Sequence, residues 1–412
     1  MPSSASSRVA VRVFLIFSLG YFLSYLARGI NLPLMPLLSS ELSLSGAQLG
    51  LLTSVYLIAF ALCQLPLGVL LDRFGPRPVQ GSLLLLAAAG ALVSSQADGF
   101  GMLLIGRLLL GIGTSGCLMA GLKAIVMWFA PERLPVLNGA IYAIGGLGSV
   151  VTGTPATLAL QAMSWRSLFL IVSALILAAS LLIWFGVPAR RQEYGPGGTR
   201  TIDVARGIVR ILRSAIFWRV APLAMLSQGA YMAVQGLWAG PYLRDVEGLD
   251  EATTASIVTL VGWMMVVGAA SLGWLARRLE MAGLSLHASA GAGMGLFVLA
   301  QVLIAARLAL PPALTWGLFG LCGTAGILAY ASLARAFSPA LAGRVSTALN
   351  LLVFCGAFLL QYGIGVLLDQ WPHDGGRYAP DAHQAAWWTM IALQTLALLW
   401  YARRGGGRAA TA

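Results

Sequence analysis

The sequence predicts an all-α membrane protein with twelve transmembrane helices in two parallel six-helix bundles. First, 58% of the 412 residues are apolar and 10% are charged, whereas about 25% of an ordinary soluble domain is charged. Second, twelve apolar runs are long enough to cross a hydrocarbon core of about 30 Å. Third, the two halves of the chain share short motifs. The scarcity of charge excludes a soluble enzyme and a disordered or nucleic-acid-binding chain.

The apolar runs follow one another along the whole chain. They cover residues 11–38, 46–71, 79–97, 101–129, 135–161, 166–187, 215–242, 253–276, 284–306, 312–337, 343–368 and 384–402. The longest polar connection separates spans six and seven, so we expect an N-terminal bundle at 1–187, a linker at 188–214 and a C-terminal bundle at 215–412. Within this linker, 201–213 has Arg at helical spacing. That pattern fits an amphipathic helix on an anionic leaflet or a solvated basic segment.

The distribution of arginine predicts the orientation. If the N-terminus is cytoplasmic, nineteen Arg lie on cytoplasmic segments and four lie on the opposite side. Because cytoplasmic loops of membrane proteins are enriched in basic residues, we expect both termini and the linker in the cytoplasm. The expected location is a bacterial inner membrane.

The two halves echo each other. Gly68-Val-Leu-Leu-Asp72-Arg73 after span two corresponds to Gly273-Trp-Leu-Ala-Arg277-Arg278 after span eight, 205 residues later. Gly113-Thr-Ser-Gly116 in span four returns in span ten as Gly323-Thr-Ala-Gly326, 210 residues later. Since six spans is an even number, both halves start on the same side of the membrane. This predicts parallel repeats around a central substrate path.

The loop between spans two and three carries the most specific motif. Its sequence, Gly68-Val-Leu-Leu-Asp72-Arg73-Phe74-Gly75-Pro76-Arg77, resembles the Gly-x3-Asp-Arg-x-Gly-x-Arg signature of the major facilitator superfamily. Gly106-Arg107 in span four resembles a second motif of that family, and Trp165-Arg166 resembles its usual start of span six. The resemblance implies the fold of that superfamily and transport by alternating access.

The same motif supplies candidates for a conformational latch between the halves. They are Gly68, Asp72, Arg73, Gly75 and Arg77. We expect Asp72 to cap a neighbouring helix N-terminus or to pair with a nearby Arg.

Polar side chains recur at helical spacing inside four spans, and we expect them to line a substrate cavity. The candidates are Tyr21, Tyr25, Arg28 and Asn31 in span one, Gln228, Tyr231, Gln235 and Trp238 in span seven, Asn138 and Tyr142 in span five, and Asn350 and Gln361 in span eleven. The stripes of spans one and seven superpose, with Arg28 matching Gln235. Hydrogen bonds between packed helices are the alternative explanation.

Arg28 is the most informative candidate. An isolated Arg at the membrane centre costs about 2.5–3.5 kcal/mol, and no acidic residue lies in the same span's core. Such a group suits a carboxylate or phosphate, and it resembles the first-span Arg of the superfamily's organic-anion and organophosphate carriers. Because span seven has Gln235 where a second Arg would stand, we expect one carboxylate. Backbone carbonyls at a helix break near Pro33 are the alternative partners. Arg107 in span four is a further cavity candidate.

The sequence therefore predicts a transporter, not an enzyme, for a small organic anion, either facilitative or coupled by symport or antiport. Efflux of amphipathic or drug-like compounds by proton antiport, copper import and a substrate sensor remain alternatives. We expect no cofactor and no metal site. The expected partners are the small-molecule substrate and the lipid bilayer, without nucleic acid, and the expected functional unit is a monomer. All 14 acidic residues lie in loops or at span ends, so we expect no protein proton carrier in the cavity.

Overall fold

A computed structural model describes residues 4–130, 133–189, 209–374 and 377–403. Most of the predicted linker helix at 201–213 falls outside these ranges, as do Glu132, Glu193 and Asp203. The described part is almost entirely helical, which confirms the predicted fold class.

Helices and helix pairs coincide with all twelve predicted spans. The first six spans are α1 (Ser4–Gly29) with α2 (Asn31–Leu42), α3 (Gly46–Phe74), α4 (Pro76–Ser95), α5 (Phe100–Thr114) with α6 (Cys117–Trp128), α7 (Leu134–Val151) with α8 (Thr154–Ala162), and α9 (Trp165–Gly186). The last six are α10 (Ala215–Ala233) and α11 (Ala239–Asp245) joined by a π-helical turn (Val234–Trp238), α12 (Glu251–Met281), α13 (Leu286–Ala305), α14 (Pro312–Cys322) and α15 (Ile327–Ala336) joined by a 3-10 turn (Gly323–Gly326), α16 (Pro339–Leu368), and α17 (Pro380–Ala402). A short antiparallel hairpin, β1 (His373–Asp374) and β2 (Arg377–Tyr378), connects spans eleven and twelve and pairs His373 with Tyr378.

Length and composition alone recover most of these spans. Within the described ranges, ten helical segments are long and apolar enough to cross a membrane, or eleven if the pair α7–α8, bent by 44°, is one span. Span seven does not reach this standard; it contains Arg219, Gln228 and Gln235, which lower its mean hydropathy, and a π-helical turn interrupts its α-helix. The predicted span is nevertheless helical from Ala215 to Asp245.

The Gly-Thr-x-Gly echo marks equivalent breaks in spans four and ten. Helix α5 ends at Thr114 and α6 begins at Cys117, while Gly323–Gly326 forms the 3-10 turn of span ten. A Cβ on Gly116 would lie 2.6 Å from the Gln80 side-chain oxygen, and one on Gly323 would overlap the Tyr231 ring. Glycine therefore permits the close packing at both breaks.

The two sets of six spans meet through spans two and eleven and through spans five and eight. Where α3 begins and α16 ends, a Cβ on Gly50 would lie 2.8 Å from the Gln361 carbonyl oxygen. Halfway along, the rings of Phe60 and Phe354 stack at 4.6 Å. Where α3 ends and α16 begins, a Cβ on Gly68 or on Gly343 would meet no atom within 4 Å. The halves therefore touch at the first end, here called the closed end, and leave space beside both glycines at the other, the open end.

Candidate functional site

A small pocket lies between the two halves and receives side chains from both. Its lining residues are Tyr25, Arg28, Gly29, Thr53, Leu57, Ser149, Thr152, Met232, Gln235, Gly236 and Gln361. The free volume is about 20 Å³, roughly the space of one water molecule. Arg28 is the one charged residue in this lining, so the pocket combines a single positive charge with neutral polar groups.

Arg28 lies at the end of α1, beside the short break that separates α1 from α2. Its guanidinium carbon stands 4.1 Å from the centre of the Tyr25 ring, a cation–π contact. Among the described residues, no carboxylate lies within ion-pair distance of Arg28. Within the described ranges, the positive charge of Arg28 is therefore stabilised by the Tyr25 ring and pairs with no carboxylate.

Arg107 lies behind the pocket and does not line it. Its side chain is completely buried, and it donates hydrogen bonds to the carbonyl oxygens of Ala27 at 2.7 Å and Arg28 at 3.3 Å. Its guanidinium carbon also stands 5.1 Å from the centre of the Tyr56 ring. Span four thus holds the backbone of span one at Arg28. Arg107 thus bonds to the carbonyl oxygens at the end of α1, whereas the sequence offered carbonyls near Pro33 as alternative partners for Arg28.

Three other predicted residues share the pocket with Arg28: Tyr25, Gln235 and Gln361. The Gln235 amide nitrogen lies 3.9 Å from the Met265 sulfur. The Gln361 side chain is buried, with 1% of the residue exposed. Neither its Oε1 nor its Nε2 has a hydrogen-bond partner in the described part of the chain.

Several predicted residues support the pocket from outside its lining. Tyr21 donates a long hydrogen bond of 3.4 Å to the Tyr25 hydroxyl. Asn31 donates to the Thr53 hydroxyl at 3.2 Å, and the Trp238 indole donates to the Gln361 carbonyl oxygen at 2.9 Å.

The remaining predicted cavity residues lie away from the pocket. Gln228 donates to the Gly323 carbonyl oxygen at 2.8 Å, and Asn350 accepts from Tyr330 at 3.1 Å. Tyr231 stacks on Phe319 with ring centres 5.6 Å apart. Of the two span-five candidates, Asn138 is partly buried and Tyr142 is exposed.

Thr53 of span two lines the pocket although the polar stripes did not predict it. Its hydroxyl donates to the Leu49 carbonyl oxygen one turn earlier at 3.0 Å. A search of span two for polar residues at helical spacing, such as Thr53, Tyr56 and Gln64, would have found this face.

The motif between spans two and three lies at the open end. Asp72 is exposed and pairs with Lys123 of span four at 2.6 Å, and Lys123 also donates to the Leu71 carbonyl oxygen at 2.9 Å. Sequence reasoning expected an Arg or a helix N-terminus as the partner of Asp72. Gly75 ends α3 with φ of 78°, a left-handed value that favours glycine. Arg77 donates to the Trp184 carbonyl oxygen at 2.5 Å.

Two helix N-terminal caps connect the halves at the closed end. The Asp369 carboxylate accepts hydrogen bonds from the backbone N–H groups of Gly46 and Ala47, both at 2.7 Å. The Thr259 hydroxyl accepts from the Thr154 backbone N–H at 2.8 Å. In both cases a side chain from the last six spans caps the start of a helix in the first six, α3 or α8.

Tyr378 of the hairpin lies beside the first cap. A Cβ on Gly46 would lie 3.2 Å from the Tyr378 hydroxyl. Burial raises the pKa of the Tyr378 phenol, and the negative charges of Asp369 and Asp245 raise it further. The phenol therefore keeps its proton and stays neutral beside the cap.

Curated relatives with partial matches are transporters by name. A "Probable sulfoacetate transporter" of Cupriavidus necator is 25% identical over 265 residues, which cover 61% of each chain. A "Hexuronate transporter" of Bacillus subtilis is 25% identical over 283 residues, 65% of each chain. The chain thus spans between about a quarter and two thirds of the length of the curated relatives it matches.

Solved structures of transporters share the fold over nearly the whole chain. A bacterial homologue of the human lysosomal transporter Spinster gives a TM-score of 0.74 at 18% identity and covers 97% of both chains. A D-xylose–proton symporter gives 0.72 at 14% identity, covering 95% of this chain and 97% of that one. In addition, the family model described as Major Facilitator Superfamily matches residues 17–361. Because this match covers most of the sequence, the protein belongs to the Major Facilitator Superfamily.

Proposed function

We propose that this protein carries a small organic anion across the membrane by alternating access, and that Arg28 binds the carboxylate of that anion. One observation carries the proposal: Arg28 lines a pocket between the two halves without a carboxylate partner among the described residues. Burying an unpaired guanidinium is costly, and a bound carboxylate would offset this cost through two charge-assisted hydrogen bonds. The relatives named for sulfoacetate and hexuronate support an anionic substrate.

Arg107 acts in this proposal as a positioning residue. It binds the carbonyl oxygens of Ala27 and Arg28, which determines where the Arg28 side chain leaves the backbone. A guanidinium forms two parallel hydrogen bonds with a carboxylate only over a narrow range of orientations. Arg107 therefore increases the affinity for the substrate by anchoring the Arg28 peptide, although it does not contact the substrate.

The proposed moving bodies are residues 1–187 and 215–412, joined by the linker at 188–214. The pocket is lined by both bodies, so a rocking motion would expose it to either side in turn. The arginine distribution assigns the open end to the cytoplasm of a bacterial inner membrane, and the described arrangement is then the inward-facing one. We propose that the functional unit of this cycle is a monomer.

The Asp72 motif acts at the stage of the cycle in which the open end is closed. In the described arrangement Asp72 is exposed and pairs with Lys123 of the same half, while the halves are apart at this end. We propose that the motif latches the halves when the open end closes. The closed end then separates and the two caps at Asp369 and Thr259 are released.

The test measures binding and counterflow in proteoliposomes with a panel of sulfoacetate, sugar acids, short carboxylates, nitrate and drug-like cations. We expect Arg28→Ala to weaken carboxylate binding at least 30-fold, which corresponds to about 2 kcal/mol for a charge-assisted pair. Arg28→Lys should recover little, since Lys lacks the planar fork. The matched control is Arg335→Ala, which removes an Arg that pairs with Glu280 at the protein surface. Unchanged carboxylate affinity in Arg28→Ala, or binding of cations alone, would refute the proposal.

A further inference from the structure

Gln361 presents a buried amide that nothing in the described structure satisfies. Only 1% of the residue is exposed, and both Oε1 and Nε2 lack partners among the described residues. The backbone at the same residue is well anchored, because the Trp238 indole donates to its carbonyl oxygen at 2.9 Å. Leaving a buried amide unpaired costs free energy. A glutamine placed only for packing would therefore destabilise the fold.

The unpaired amide lies in the same pocket as Arg28, which indicates a ligand for it. We propose that Gln361 recognises a neutral hydroxyl group of the substrate, so that the substrate class is the hydroxycarboxylates with a single negative charge. This inference rests on the proposed function of Arg28. The amide offers a donor and an acceptor, and a hydroxyl satisfies both because it accepts from Nε2 and donates to Oε1.

Other substituents match the amide less well. An alkyl group would leave both amide atoms unpaired in a dry site. A second carboxylate would accept from Nε2 but would repel the lone pairs of Oε1. It would also add a second negative charge to a pocket whose lining contains one cation, Arg28. The charge of the lining therefore favours one anionic group and a neutral partner beside it.

The three aliphatic hydroxyl groups of the pocket do not donate to the amide, because their protons are already used. Thr53, Ser149 and Thr152 donate to carbonyl oxygens of their own helices at 3.0, 2.8 and 2.7 Å. Gly236 leaves room for the amide: a Cβ there would lie 3.3 Å from Gln361 Nε2. A larger residue at 236 would press on the amide that Gln361 offers.

The experiment compares acids of equal chain length that carry hydroxyl groups, no further polar group or a second carboxylate. Purified protein is titrated with glycerate, propionate and malonate, and with gluconate, hexanoate and adipate as a longer set. In at least one set, we expect the wild type to bind the hydroxy acid about tenfold more tightly than the plain acid or the dicarboxylate. In Gln361→Leu this preference should fall to within about twofold, while affinity for the plain acid is retained.

A matched control and a second variant accompany this comparison. Gln301 and Gln394 form a buried amide pair in the last six spans, with distances of 3.0 and 2.8 Å, so the double change Gln301→Leu with Gln394→Leu removes buried amides away from the pocket. It should keep the hydroxyl preference. If Gln361→Leu does not fold, Gly236→Ala should reduce the preference by pressing on Nε2.

The outcomes separate the two proposals. Absence of binding for every acid in the folded wild type would refute the anion function itself. Binding of plain acids or malonate as tight as that of hydroxy acids would overturn only the role of Gln361. A hydroxyl preference that survives in folded Gln361→Leu would overturn it as well.

Discussion

Replacing Asp369 by Asn should open the closed end. The Asp369 carboxylate accepts from two backbone N–H groups at the start of α3, both at 2.7 Å. These short contacts are charge-assisted and lie at a helix N-terminus, where negative charge is favoured. Asn keeps one acceptor oxygen but loses the charge and one of the two hydrogen bonds.

The magnitude follows from these contacts. A hydrogen bond to a charged group contributes about 1.5–3 kcal/mol, and the charge at the helix N-terminus adds about 0.3–1 kcal/mol. Both contributions exist only while the halves touch, because the cap and the helix belong to different halves. A loss of about 2 kcal/mol lowers the ratio of closed to open arrangements at this end roughly 30-fold.

Paired spin labels can measure this ratio. Ser164 and Ala309 are exposed and lie in loops at the closed end, one in each half of the chain. Labels at these positions, in a background without Cys63, Cys117, Cys322 and Cys355, should show a longer distance population in Asp369→Asn. The same substitution should leave the affinity for substrate within about threefold, since Asp369 does not line the pocket.

The control is Asp381→Asn at the start of α17, which removes the same charge from an exposed site at the same end. It should leave the distances unchanged. Identical distance distributions for Asp369→Asn and the wild type would show that the cap does not hold the halves together.

Three further predictions address the proposed cycle. Asp72→Asn should slow transport severalfold while the substrate Kd stays within about twofold of the wild-type value, because the residue is remote from the pocket. Loss of binding in folded protein would contradict this role. Arg107→Met should weaken carboxylate binding about tenfold, because it frees the Arg28 backbone. Titration of detergent-purified, monodisperse protein measures this loss, and wild-type affinity in the variant would show that Arg107 serves packing only. Counterflow in substrate-loaded proteoliposomes should run without a pH gradient, because no acidic residue lines the described pocket; strict dependence on protons for a fully ionised substrate would require a proton-carrying group.

The fold could be predicted because its causes are local. Apolar runs of the required length must become helices in a bilayer, where every backbone polar group needs an internal partner. The Gly-Thr-x-Gly echo, which the sequence indicated only as a repeat, coincides with the breaks of spans four and ten, where glycine permits close packing. Arg28 could be singled out for a similar reason: a charge in an apolar run is costly, so its presence points to a function.

The remaining features depend on contacts between residues far apart in the chain. Arg107 binds backbone carbonyls of span one. Every residue has a backbone carbonyl, so the sequence does not indicate which of them is the partner. Lys123 reaches Asp72 across 51 residues, although Lys was not the partner expected for that motif. Which members of a polar stripe face the pocket depends on helix rotation. Tyr25 and Gln361 therefore line it, while Gln228 bonds to Gly323.

The cap at Asp369 also has a consequence for biosynthesis. Its partners are 322 and 323 residues apart in sequence, and ribosomes add about 5–20 residues per second. The start of α3 must therefore wait roughly 15–65 s for its cap while the rest of the chain is made. During this interval the first six spans are in the membrane without their closing partner, and chaperones or insertases that shield this end would act in that window.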